Sequence, residues 1–268
     1  MVFLVKNEIL KLELNLILKF NMSSSSDIET GNYTLIHPEE NSLENKETRQ
    51  KFIRRVFSLV TFQLGVNLFC ICMSMQFEEI SNFLKSEGGI AILYILEIMV
   101  LFLVCCSLCI PTLLKSYPIN ILFYSFLTLS FSYILSVVCV LTDPTTVFQA
   151  MCGTFIITGA LTLFAMQTKY DFTPLSGILF TCLIIIIFAS VLNFYFGINF
   201  VNIIIIVCSL ILFMLYLIID IQMIVGGDHT WYKFTEEDYI LAAMCLYLDI
   251  INIFIRLLQL IEACKDVN

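Results

Sequence analysis

Seven runs of about twenty apolar residues recur along the chain, at roughly 56 to 75, 90 to 110, 119 to 142, 145 to 166, 175 to 196, 199 to 225 and 239 to 261. Each is long enough, at about 1.5 Å of rise per residue, to cross the hydrocarbon core of a bilayer as a helix. The short connections carry Pro111, Pro118, Asp143 with Pro144, Pro174, and the pair Gly226 and Gly227, residue types that end helices. No segment alternates in the manner of a barrel strand, and the isoleucine runs at 184 to 187 and 203 to 206 suit helices facing lipid. The pattern predicts an all-α integral membrane protein with seven transmembrane helices and no soluble domain.

Composition agrees with that solvent. Apolar residues make up 59% of the chain and charged residues 13%, against roughly 25% charged in a soluble domain. The net charge of −8 comes largely from acids in the first fifty residues and at 236 to 238, so it implies no nucleic-acid partner. Of 11 cysteines, all but Cys264 lie in apolar runs, where they serve as small packing residues. The C-x-x-C at Cys106 and Cys109 has no histidine or second pair nearby, so no fixed metal site is expected.

Residues 1 to 50 differ from the rest. The stretch MSSSSDIETGNYTLIHPEENSLENKE is polar and poor in aromatics, which predicts a disordered tail ahead of a transmembrane domain over 51 to 264. Before it, MVFLVKNEILKLELNLILKF is interrupted by Lys6, Glu8, Lys11, Glu13 and Lys19 and lacks the plan of a signal peptide. It reads either as an interfacial amphipathic segment or as sequence upstream of a start at Met22. Basic residues in short flanks set the orientation. With a cytosolic amino terminus, that side holds Lys46, Arg49, Lys51, Arg54, Arg55, Lys115, Lys169 and Lys233, and the other holds Lys85 and Lys265. The carboxy terminus is then expected on the far side, and the sequons at Asn21 and Asn32 stay unglycosylated.

Four charges fall inside the apolar runs: Glu97 in the second, Asp220 in the sixth, and Asp249 with Arg256 in the seventh. An acid at the centre of a spanning helix costs about 2.5 to 3.5 kcal/mol on insertion scales, so each is expected to face the bundle interior. Asp220 sits roughly 8 Å from the cytosolic end of its segment and Asp249 roughly 15 Å from that of its own, close enough for helix tilt to bring them level. Two carboxyls in one dry site cannot both ionise easily, so such a pair is a proton-sensitive lock. Asp249, Asn252 and Arg256 follow at i, i+3 and i+7, a polar stripe that asks to be surrounded.

These residues also carry a resemblance. The run DIQMIVGGDHTWYKFTEEDYILAAMCLYLDIINIFIRLLQLIE (220 to 262) resembles the hallmark of the transmembrane Bax inhibitor motif family, in its lifeguard branch. RQKFIRRVFSLVTFQL (49 to 64), YPINILFYSFLTLSFSY (117 to 133) and AMQTKYDFT (165 to 173) agree with it in order and spacing. The resemblance implies seven helices with the last one central and wrapped by the other six. It implies a pH-dependent leak of Ca²⁺ from internal stores, endoplasmic reticulum or Golgi, and restraint of cell death. Asp220 and Asp249 match the family's proton-sensing aspartates, with Ca²⁺ the permeant ion near them and no resident cofactor.

One departure stands out. Where some members carry an arginine latch near the end of the second helix, this chain reads CIPTLLKSYPIN, with Lys115 nearby. Either Lys115 substitutes as a point charge or the latch is absent. Glu97, in ILEIMVLF, is expected to pair with Arg256. The family is also drawn with six crossings and a cytosolic carboxy terminus, which the charge count opposes. The same residues admit three other readings: an aspartate pair acting only as a structural clasp, a non-conducting scaffold for cell-death or Ca²⁺-handling membrane proteins, and a proton-coupled Ca²⁺ exchanger. An enzyme is not expected, because no histidine lies in a spanning run and the core Ser, Thr and Cys have no base beside them.

Overall fold

A computed structural model of the chain describes residues 42–109, 117–226, 234 and 238–267. Among them the structure is helical, with no strand. The helices are α1 (Ser42–Gln76), α2 (Glu78–Lys85), α3 (Glu87–Cys109), α4 (Ile119–Leu141), α5 (Pro144–Gln167), α6 (Ser176–Phe196), α7 (Asn199–Val225) and α8 (Tyr239–Val267). A 3₁₀ turn at Thr173–Leu175 leads into α6. Six of these helices are long and apolar enough, among the described residues, to cross a membrane: α1, α4, α5, α6 with its leading turn, α7 and α8. The remaining expected span coincides with α3, of which the side chains at 101 and 104–109 lie outside the described residues. Lys115, His229, Trp231, the amino-terminal extension, both sequons and most of the acidic cluster at 236–238 also lie outside them.

The elements end where the local chemistry says they must. Pro144 opens α5 at its first position, where a missing N–H costs nothing. Gly197 closes α6 in the left-handed region at φ 65°, its N–H returning to Asn193 O at 2.8 Å. Two boundaries differ from the sequence expectation. α1 begins at Ser42, inside the stretch expected to be tail, and Arg49 in its second turn is docked on the carboxy-terminal end of α7. Between α1 and α3 lies α2, whose Ile80 and Phe83, with Phe77 just before it, are exposed while Leu84 is buried. A Cβ at Gly89 would approach Leu84 O to 2.8 Å, so glycine is what lets α3 start hard against α2.

Large apolar side chains are exposed all along the outer helices, Phe148, Phe155, Ile185, Phe188 and Phe200 among them, as a protein solvated by lipid requires. The isoleucine runs each split between lipid and core, with Ile184 and Ile185 exposed beside a buried Ile186, since successive helix residues point about 100° apart. Burial is graded across the bundle. Of its most apolar stretch, 83% is buried in α8, against 17% in α5 and in α6. α8 packs most extensively on α7, then on α5 and α1, with a smaller contact to α4.

Two ends of the bundle are defined by contacts. At one end Arg49 reaches the carbonyls of Val225 and Phe234, and Gln222 exchanges hydrogen bonds with the 170–172 backbone. At the other, Lys265 Nζ meets Asp143 Oδ2 at 2.9 Å in the α4–α5 turn. α8 therefore runs from one end of the bundle to the other. Arg49, Lys51, Arg54, Arg55 and Lys169 share the first end, and Lys265 marks the second.

Candidate functional site

Asp220 and Asp249 are both fully buried, at 0% exposure, on the two helices that pack most closely, α7 and α8. Lipid exposure of either carboxyl is thus avoided as expected. A third group joins them. Tyr216 lies one turn along α7 from Asp220, about 6 Å farther from the Val225 end. Its buried hydroxyl is within electrostatic reach of both Asp220 and Asp249, and of Cys182 on α6. The candidate site is accordingly two buried carboxyls and a buried phenol on α7 and α8, helices on which Leu217, Ile221, Leu246 and Ile253 are buried as well. Such groups can hold and pass a proton, and when ionised they present negative charge to a cation.

The stripe on α8 is buried along its length and is longer than the sequence suggested. Asn252 and Arg256 are buried, and Gln259 extends the row, accepting from Arg256 Nη1 at 3.3 Å. Asn252 turns its amide back onto its own helix, Nδ2 donating to Leu248 O at 2.8 Å. Glu97 is buried too, on α3, whose substantial packing partners are α2 and α4. No three His, Cys, Asp or Glu side chains converge into a metal-holding group among the described residues.

A second polar cluster was not anticipated from the sequence. Gln63 Nε2 on α1 donates to Thr128 Oγ1 on α4 at 2.9 Å. One turn on, Ser132 Oγ donates to Asn67 Oδ1 at 2.6 Å, and Asn67 Nδ2 donates to the Tyr247 hydroxyl on α8 at 2.8 Å. Gln63 with Asn67, and Thr128 with Ser132, are i, i+4 pairs, so each helix presents a two-rung polar face to the other. That spacing was the available signal. Tyr247 and Asp249 stand two residues apart, about 200° around α8. Holding Tyr247 toward α1 and α4 therefore aims Asp249 at α7.

Comparison with known proteins bears on what this arrangement is. Residues 49–266 match the family described as inhibitor of apoptosis-promoting Bax1. The chain belongs to the Bax inhibitor family. This Bax inhibitor family protein is 30% identical over 246 residues to Protein LIFEGUARD 3 of Arabidopsis thaliana, covering 89% of this chain and 95% of that protein. It is 29% identical over 244 residues to Protein LIFEGUARD 1 of the same plant, covering 89% and 99%. The family match takes in Arg49, both polar clusters and α8 through Lys265, so the whole Bax inhibitor bundle lies within the matched region.

Proposed function

We propose that this protein is a pH-sensitive Ca²⁺ leak pathway of an intracellular membrane, endoplasmic reticulum or Golgi, that regulates Ca²⁺ balance and cell death. Its amino terminus faces the cytosol, α3 completes a seven-span bundle, and α8 is the central helix. The observation that carries the reading is the burial of Asp220 and Asp249 on the closest helix pair, with Tyr216 in reach of both. While the carboxyls share a proton, α7 and α8 stay docked. When both ionise, like charges in a water-excluded site repel, and the separated helices leave a negatively charged path that a divalent cation enters. Ca²⁺ is the permeant ion and occupies no fixed site.

The test is Ca²⁺ flux from liposomes holding the purified chain, at several pH values. Asp220→Asn and Asp249→Asn each flatten the pH profile, and the double variant adds little to either single one, as for a coupled pair. Unchanged profiles in both folded single variants leave the pair a structural clasp. Absence of any flux from wild-type protein leaves a scaffold, and collapse of an imposed pH gradient as Ca²⁺ moves identifies an exchanger.

A further inference from the structure

The last turn of α7 exposes a problem that the first span solves. The final carbonyls of any helix lack intrahelical donors, and the helix end carries about half a negative charge. In α7 these carbonyls lie within two turns of Asp220. Arg49, in the second turn of α1, lies over them. Its Nε donates to Val225 O at 3.2 Å, its Nη2 donates to Met223 O, and its Nη1 donates to Phe234 O at 2.7 Å. Phe234 is buried, and its own N–H returns to Met223 O at 3.3 Å. Chain leaving α7 and chain arriving at α8 thus meet on one guanidinium, which rests 4.9 Å from the Phe52 ring centre.

Gly226 is shaped to this contact. Its φ of 63° belongs to the left-handed region, and a Cβ there would come within 2.9 Å of Arg49 Nη2. A planar fork with five donors can serve three carbonyls at once, whereas an ammonium on a flexible stem cannot hold that geometry.

We infer that Arg49 is a positioning residue, a clamp that ties the exit of α7 to the entry of α8 and so sets the register in which Asp220 and Asp249 face each other. Its consequence for gating rests on the leak reading above; the clamp itself does not. The whole contact between α1 and α7 is slight, so this one side chain carries much of the coupling between the first span and α7. Movement of the amino-terminal turns of α1 is thereby transmitted to the aspartate pair through Arg49.

The experiment compares amide hydrogen exchange and Ca²⁺ flux in the full chain, reconstituted, for wild type, Arg49→Gln, Arg49→Lys, Gly226→Ala and Asp220→Asn. Loss of charge-assisted bonds at the clamp raises exchange at Phe234 and over residues 239–243 by about tenfold or more in Arg49→Gln. Gly226→Ala, which displaces the guanidinium, reproduces the effect, and Arg49→Lys falls between. Exchange in the α4–α5 turn stays as in wild type. The pH profile of flux shifts in Arg49→Gln and Gly226→Ala without flattening as it does in Asp220→Asn. Unchanged exchange at Phe234 and 239–243, or acceleration spread evenly over the bundle, overturns the clamp. Local acceleration with a wild-type pH profile, while Asp220→Asn alters that profile, overturns the positioning role. A wild-type profile in Asp220→Asn removes the gate reading instead, and the exchange data then decide the clamp alone.

Discussion

Removing one oxygen from Tyr247 tests whether α8 is held in rotation by the cluster it shares with α1 and α4. Tyr247→Phe deletes the hydroxyl that accepts from Asn67 Nδ2 at 2.8 Å. The edge-to-face contact with Phe131, centroids 5.9 Å apart at 80°, is retained. Asn67 keeps its bond from Ser132, so one interhelical hydrogen bond is isolated. In a membrane bundle such a bond contributes about 0.6 kcal/mol on average and up to about 1.7 kcal/mol, because the unfolded chain in lipid also finds partners. Asn67→Ala should cost more than Tyr247→Phe, since it also forfeits the Ser132 bond and leaves a cavity. In a double-mutant cycle those extra terms cancel, and the coupling between the two sites should fall within about 0.6 to 1.7 kcal/mol. The assay is reversible unfolding in mixed micelles by titration with sodium dodecyl sulfate, followed by circular dichroism. A coupling indistinguishable from zero, with both single variants folded, refutes the view that this bridge orients α8.

Three further outcomes are expected. Because α8 runs from the Arg49 end to the Asp143 end, reporters at positions 25 and 266 should be protected on opposite sides of the membrane; protection on the same side would exclude a full crossing by α8. The Asp143 carboxyl is held down to about 2, first by the Thr145 hydroxyl and then by Lys265, so the stability it contributes is present above its ordinary value near 4 and is lost as pH falls through about 2. Thr145→Val and Lys265→Gln should each move its titration upward, read from the carboxyl carbon resonance of labelled protein, and an unmoved titration in both would contradict the contacts. Gly89→Ala presses a methyl onto the backbone of α2 and should lower stability by about 1 to 3 kcal/mol, whereas Gly159→Ala, where nothing lies within 4 Å, should be close to neutral in the same denaturation assay.

Six of the seven apolar runs coincide with helices long and apolar enough to cross a membrane, and they are legible in the sequence because the bilayer imposes its demand on each run separately. A stretch of twenty apolar residues must satisfy its backbone internally, whatever its neighbours do. Asp220 and Asp249 were legible for a similar reason, since the cost of a carboxyl in lipid is local and forces burial in any fold. Which helices meet was not written in that pattern. Spans that are apolar around their whole circumference do not advertise the face that packs, so the pairing of α1 with α4, and of α8 with α7, α5 and α1, appears only once the bundle is assembled. Tyr216 and Gln259 are not legible in the sequence, because a tyrosine or glutamine in an apolar run carries no signal of its own until its neighbours are known. Arg49 is the least legible of all, since in the sequence it is one basic flank among several that set orientation. Its partners lie 174 to 185 residues away, and no local spacing connects a first-span arginine to the carbonyls at the end of α7. Tertiary packing decides that contact, by bringing an unsatisfied helix end and a five-donor side chain to the same edge of the bundle.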